Sequence, residues 1–258
     1  MFINYLINIF VFVLGACIGS FLNCYIYRLE NKKSLKGRSF CPHCKHTLNW
    51  QDLFPVFSFL FLRGKCRYCK KKISWQYPVV ELATGIIFLL IFNFKFLSIL
   101  NLAFLFYVAS ALIIIFVYDL KHYIIPDKVL FPAIIVTFLY RLFESFWIPA
   151  SAGMTVLAVI ISAGFFFVIW LVSKGKWMGF GDVKLAVLMG LLLGLPNVLV
   201  ALFLAFFFGA IIGVILMVLE KKNLKSEIPF GPFLIAGTFL ALFWGPQIIQ
   251  WYLKIFQI

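Results

Sequence analysis

The stretch Ile113-Ile114-Ile115-Phe116-Val117-Tyr118-Asp119 drives an apolar run straight into a carboxylate, and its reading decides the fold. The run, about 100–118, is long enough to cross a hydrocarbon layer of ~30 Å as a helix. Seven further apolar runs lie at about 5–27, 79–97, 128–143, 153–172, 183–195, 197–219 and 231–252. Hydrophobic residues make up 64% of the chain and the mean hydropathy is +1.05, more apolar surface than a soluble domain of this size uses. The runs are apolar all round, which excludes the alternation of a membrane barrel. The expected fold is an all-α polytopic membrane protein with about eight transmembrane helices. The first run lacks a basic leader and a small-residue cleavage site, so it reads as a retained span. Within it, Gly15-Ala16-Cys17-Ile18-Gly19-Ser20 is a small-xxx-small pattern suited to close helix packing. The stretch Trp147-Ile148-Pro149-Ala150-Ser151-Ala152-Gly153 reads as a short external loop, and Arg141 as a side chain reaching for the interface.

Charge orients these spans. The net charge is +14, and twenty of the twenty-three Lys and Arg fall in four loops, 28–76, 119–128, 173–184 and 220–230. Only Lys95, Arg141 and Lys254 fall elsewhere. Such a bias puts the basic loops in the cytoplasm, and eight spans then leave both termini outside. A charge distributed in this way marks membrane orientation, not a nucleic-acid surface. It also brings Asp119, Asp127 and Asp182 to one level at the cytoplasmic face. Only nine Asp and Glu occur in 258 residues, and ionisable groups at membrane edges are functional candidates.

The loop 28–78 is the one segment large enough for a separate soluble element, and about fifty residues make a marginal core without a staple. Its cysteines offer one. Cys41-Pro42-His43-Cys44 and Cys66-Arg67-Tyr68-Cys69 are two CxxC pairs with twenty-one residues between Cys44 and Cys66. Four thiolates in paired turns suit a closed, structural zinc site in a zinc-ribbon-like domain. Disulfides or a redox pair are the alternatives, disfavoured by a cytoplasmic location. His43 and His46 are rival ligands. Cys17 and Cys24 read as small apolar packing residues. No internal repeat is evident. The chain thus divides into a first transmembrane helix (1–27), the four-cysteine loop (28–78) and a seven-helix membrane domain (79–258).

Two carboxylates held together share a proton, so one can activate water while the other polarises a carbonyl. Asp119 and Asp182 are the candidate catalytic pair. Asp119 closes a span, where a carboxylate opposes the negative end of the helix dipole and so serves stability poorly. Asp182 follows Gly179-Phe180-Gly181, where glycines permit close backbone approach. An N-cap for the helix that follows is its structural alternative. Asp127, after Pro126, reads as an N-cap. Glu81 could cap its helix, pair with a loop lysine or line a site; Asn23 and Arg28 read as interface anchors, and His122 as a solvated loop residue. A proton-coupled transporter with an aspartate relay is the main rival, although transporters hold such groups near the midplane between repeats. A zinc metalloprotease lacks its HExxH. A non-catalytic scaffold would leave Asp119 unexplained.

The chain resembles the type IV prepilin peptidase family over essentially its whole length. The resemblance rests on Gly19-Ser20-Phe21-Leu22-Asn23, Tyr27-Arg28-Leu29, the paired CxxC loop with Leu62-Arg63-Gly64-Lys65, and Tyr77-Pro78-Val79-Val80-Glu81-Leu82. It continues through Asp119-Leu120-Lys121-His122-Tyr123-Ile124-Ile125-Pro126-Asp127, Gly179-Phe180-Gly181-Asp182 and Pro229-Phe230-Gly231-Pro232-Phe233. It implies a GxGD-type intramembrane aspartyl protease of the bacterial inner membrane, with Asp119 and Asp182 catalytic and Asp127 only the trailing residue of its motif. It implies prepilin and pseudopilin substrates, as in type IV pili and type II secretion, cut after a glycine at the cytoplasmic face. It further implies N-methylation of the new terminus with S-adenosylmethionine. No glycine-rich nucleotide fingerprint follows a strand here, so methylation rests on the resemblance alone. The resemblance matches the family's four-cysteine loop to Cys41, Cys44, Cys66 and Cys69.

Overall fold

Helices form wherever the apolar runs predict them. A computed structural model describes residues 2–95, 98–147, 149–219 and 228–255. Its helices are α1 Phe2–Glu30, α2 Phe57–Phe61, α3 Gln76–Lys95, α4 Ile99–His122, α5 Asp127–Trp147, α6 Pro149–Ser173, α7 Phe180–Leu193, α8 Asn197–Val218 and α9 Gly231–Ile255. All but α2 correspond to predicted spans. Six of them, α1, α3, α4, α6, α8 and α9, are long and apolar enough to cross a membrane, so the chain is a multi-pass helical membrane protein. The other two differ for physical reasons. Helix α5 carries Pro132, Arg141 and Glu144, which lower its hydropathy. Helix α7 has 14 residues, about 21 Å at 1.5 Å per residue, short of a ~30 Å layer.

One expectation fails here. Of the loop expected at 147–153, residues 149–153 are helical: α6 already begins at Pro149, a residue whose missing N–H is no loss at a helix start. Arg141, expected to reach for the interface, is held by groups of the protein. Its guanidinium donates to the carbonyls of Leu191, at 2.9 Å, and Leu192, and pairs with Glu144 at 2.6 Å. These carbonyls belong to the last turn of α7, whose acceptors have no intrahelical partner. Positions 96, 97 and 148, and Lys221, Lys222 and Lys225 of the last basic loop, lie outside the described residues.

The chain forms two compact units, 1–114 and 115–258, with the division inside α4. In the first, α1 packs along α3. Gly15 and Gly19 make this approach possible: a Cβ on Gly19 would lie 2.8 Å from the Glu81 Cα, and one on Gly15 2.9 Å from the Gly85 Cα. The small-xxx-small pattern is therefore a packing seam. The polar residues at its end tie down the loop. Asn23 donates to the Tyr77 carbonyl at 3.1 Å and accepts from Gln76 at 3.2 Å. Buried Arg28 donates to the carbonyls of Leu35, Gly37 and Arg38. Arg28 braces the start of the loop and Asn23 its end. In the second unit α8 packs on α9, α6 on α7, and α7 also on α5 and α9. Helix α7 is mostly buried among these neighbours.

Candidate active site

Helix α4 runs one turn past Asp119 before it stops, so Asp119 lies inside the helix and not at its end as the apolar pattern predicts. The stop is made by Tyr123, whose φ of 57° is left-handed and whose N–H closes on the Asp119 carbonyl at 2.9 Å. The chain then turns so that Ile125 is buried. The Pro126 carbonyl accepts from the Val129 and Leu130 N–H groups, making Pro126 the cap of α5. Asp127 is thus the first helical residue and not an N-cap, correcting the sequence reading. Its carboxylate is exposed and pairs with Lys184. His122 is exposed and packs against Tyr118, ring centroids 4.5 Å apart.

Helix α7 begins at Phe180, capped by Gly179. Asp182 therefore sits in its first turn and is not the cap residue. Its own N–H reaches the Gly179 carbonyl at 3.2 Å, and the Gly179 N–H in turn serves its carboxylate, the return half of a capping box. The structural alternative for Asp182 is met in part, but the residue is also buried beside another charge.

That charge is Asp119. The two carboxylates, both buried, interact electrostatically across the site. Two contacts account for their convergence. The N–H of Gly231, the first residue of α9, serves the Asp119 carboxylate, an anion at a helix N-terminus. A Cβ at Gly231 would collide with Asp119 Oδ2, so any larger residue must push that carboxylate aside. Ile125 then fills the space between elements: Cβ positions built on Gly181 and Gly231 lie 3.2 and 3.5 Å from its side chain. Asp119, Asp182, Gly231 and Ile125 all belong to the unit 115–258. The third aspartate does not join them, since its carboxylate faces Lys184.

Gly231 and Ile125 were missed as site residues by sequence reasoning. Pro229-Phe230-Gly231-Pro232 reads as a rigid re-entry turn, and its signal was a glycine at a helix start with no polar cap beside it. A buried carboxylate pair of this kind can hold one proton between them and activate water. Next to it, between α4, α8 and α9, opens an apolar groove of about 560 Å³, lined by Phe116, Leu120, Phe208, Ile212, Phe233 and Ala236 among others. Leu120 and Pro232, which also lines the groove, are sequence neighbours of Asp119 and Gly231.

The cysteines converge separately, in the unit 1–114. The Sγ atoms of Cys41, Cys44, Cys66 and Cys69 lie within 4.8 Å of one another, close enough to hold a metal. The Cys41–Cys69 pair is 3.9 Å apart. Metal–sulfur bonds of about 2.3 Å at tetrahedral angles put sulfurs ~3.8 Å apart, so the residues fit such an ion. The two CxxC turns match one another. Lys45 N–H bonds the Cys41 carbonyl and Lys70 N–H the Cys66 carbonyl; Lys45 and Lys70 both have positive φ, 58° and 57°. Phe40 bridges Thr47 as Lys65 bridges Lys72. The paired turns read from the two CxxC motifs are therefore present, and they match in backbone geometry although the outer residues differ. Burial pushes the Cys41 thiol up, but the N–H groups of Cys44 and His43 outweigh it and bring the group down to about 7. That favours the thiolate at Cys41, while beside it the His46 N–H lowers the Cys44 thiol but desolvation and the Cys41 and Cys69 thiols outweigh that and push it up to about 11.

The family model described as Bacterial Peptidase A24 N-terminal domain matches residues 13–94, and that of the Type IV leader peptidase family matches residues 105–214. The chain is 32% identical to a prepilin leader peptidase/N-methyltransferase of Bacillus subtilis (strain 168), covering 95% of this chain and 97% of that protein. It is 31% identical to proteins of the same name from Legionella pneumophila, over 98% and 97% of the two chains, and Aeromonas hydrophila, over 95% and 93%. No solved structure matches the chain.

Proposed function

The chain belongs to the prepilin leader peptidase family, and from that premise we propose that it cleaves the leader from prepilins and pseudopilins with Asp119 and Asp182 as the catalytic pair. One observation carries the assignment: two buried aspartates from distant segments share a site closed by Gly231 and Ile125. The ionised carboxylate takes a proton from water while its protonated partner donates to the scissile carbonyl oxygen. Water adds to the carbonyl carbon, the peptide C–N bond breaks, and the amine leaves with a proton. The apolar groove beside the pair suits the apolar helix that follows a prepilin cleavage site. No observation favours the transporter reading.

The new amine is then N-methylated, as the relatives' name implies, with S-adenosylmethionine supplying the methyl group. Zinc is the metal the four thiolates suit, as a closed structural site. We assign the basic loops, the aspartates and the cysteines to the cytoplasmic face of the inner membrane, with both termini outside. This requires α5 and α7 to count as spans. Burial of α7 within protein relieves it of matching the lipid thickness. The domain reading, 1–27, 28–78 and 79–258, goes with this topology.

Incubation of the purified protein with a prepilin, followed by mass spectrometry, tests cleavage and methylation together. Loss of the leader mass with no cut in its absence supports the reading; an intact prepilin sinks it. Two variants sharpen it. Gly231→Ala forces Asp119 aside, and a displacement of about 1 Å costs ~10²-fold in cleavage. Wild-type cleavage by Gly231→Ala would remove Gly231 from the site. Asp127→Asn breaks an exposed pair with Lys184 worth about 0–1 kcal/mol, so cleavage falls by less than ~5-fold.

A further inference from the structure

Between its two cysteine pairs, and just after the second, the loop carries large apolar residues that the metal cluster does not use. Trp50, Phe54, Phe57, Leu60, Phe61 and Trp75 are all exposed, Phe61 at 84%. Large apolar residues exposed at this density mark an interaction surface. Their arrangement is ordered. Phe59 is the inward residue of α2, buried against the Trp75 ring at a centroid distance of 4.9 Å. Phe57, Leu60 and Phe61, spaced i, i+3 and i+4, share the opposite face of that helix.

Two contacts fix the depth of this face. Trp75 immediately precedes α3, a candidate membrane span, and holds Phe59 at that level. Deeper still, the Val56 N–H donates to Glu81 Oε2 at 2.7 Å. Glu81 lies five residues into α3, about 7.5 Å along its axis from Gln76. The contact is under strain. Val56 has φ 62° and ψ −50°, and the Phe57 N–H closes on the Pro55 carbonyl at 2.6 Å, a γ-turn of the disfavoured hand in a β-branched residue. Such strain persists where the surroundings over-determine it, and buried Glu81 is the group that does so. Glu81 is therefore neither a helix cap nor a partner for a loop lysine; it clamps α2 beside the second turn of a membrane helix.

We propose that α2 and the turn before it form an in-plane membrane anchor. Lipid at the headgroup–acyl boundary covers Phe57, Leu60 and Phe61, with Trp50 and Phe54 beside them, and anionic headgroups meet the basic residues around them. Lipid is favoured over a protein partner because the contacts that orient this face are contacts to the start of a membrane helix, continuous with the lipid-facing spans. Charge complements it: residues 28–76 hold twelve Lys and Arg against Glu30 and Asp52, and exposed Arg63 and Lys65 directly follow α2. This inference stands apart from the peptidase reading.

The test uses the full-length protein in nanodiscs whose phosphatidylcholine carries a photoreactive group near the acyl carbonyl, with and without phosphatidylglycerol. Irradiation followed by peptide mass spectrometry should find lipid adducts on 50–61, several-fold more with phosphatidylglycerol. The triple variant Phe57→Ser/Leu60→Ser/Phe61→Ser should lose them while retaining its bound metal, which reports a folded loop. Adducts confined to the spans would overturn the anchor. Equal adducts with and without phosphatidylglycerol would overturn its anionic preference. Loss of the adducts on adding excess prepilin, or cross-links between copies through 50–61, would make the face a protein-docking surface and overturn the lipid assignment. The native-chain arm decides even if the triple variant fails to fold.

Discussion

Asp119→Asn and Asp182→Asn are each expected to reduce prepilin cleavage by about 10³-fold or more, near the upper range for loss of a positioned acid or base. Asparagine keeps the size of aspartate and an oxygen to accept the Gly231 or Gly179 N–H, so the helix starts that hold the pair remain intact. What it removes is the ability to exchange a proton. The pair acts as a unit, and the double variant should therefore be hardly worse than either single one. Rates of leader removal measured on purified protein in nanodiscs read this directly, with membrane insertion and metal content unchanged. Asp127→Asn is the internal control: it removes a third aspartate from the same motif and the same end of the helices. Normal cleavage by Asp119→Asn would refute the assignment. Equal loss in all three variants would point instead to a disrupted turn 123–127.

Helices were legible in the sequence because an apolar run of membrane length has few other fates. The candidate pair was legible for a related reason. Asp119 sits where a carboxylate opposes the helix dipole, so its presence called for another explanation. The exact roles of single residues at helix ends were less visible. Asp127 was read as a cap, and a cap was the structural alternative for Asp182, yet the caps are Pro126 and Gly179. The apolar pattern locates a helix only to within a few residues, and a slip of one residue at Asp127, or of three at Asp182, moves a carboxylate from cap to first turn. Gly231 and Ile125 were missed because their roles arise from packing between distant segments, which no local pattern encodes. The partners of Arg141 were not visible because its acceptors, the last carbonyls of α7, lie some fifty residues away in sequence. The two cysteine turns were legible as a pair from their CxxC spacing; how closely they match lies in φ angles and hydrogen bonds.

Removal of the metal is expected to unfold the cysteine loop outright. Between residues 31 and 75 only Cys41, Phe59 and Cys66 are buried. Two of these three are metal-ligand candidates, so the loop has almost no apolar core of its own. Burying one phenylalanine contributes about 1.5–3 kcal/mol, whereas ordering a segment costs ~1–2 kcal/mol per residue. Structural zinc supplies about 10–16 kcal/mol, and in so small an element that binding energy is folding energy. Purified protein should contain about one zinc per chain. Chelation, or Cys41→Ser with Cys66→Ser, should abolish hydrogen-exchange protection at the Cys41, Lys45, Cys66 and Lys70 amides, whose bonds define the paired turns. The Asn23 and Arg28 contacts cannot compensate, because they hold only the loop's two ends, Gln76–Tyr77 and Leu35–Arg38. The aspartate pair takes no residue from the loop, so protection around Gly179–Asp182 should survive chelation. A loop that keeps its protection without metal would mean that the thiols serve some end other than folding; collapse of both regions together would mean that the two units do not fold independently.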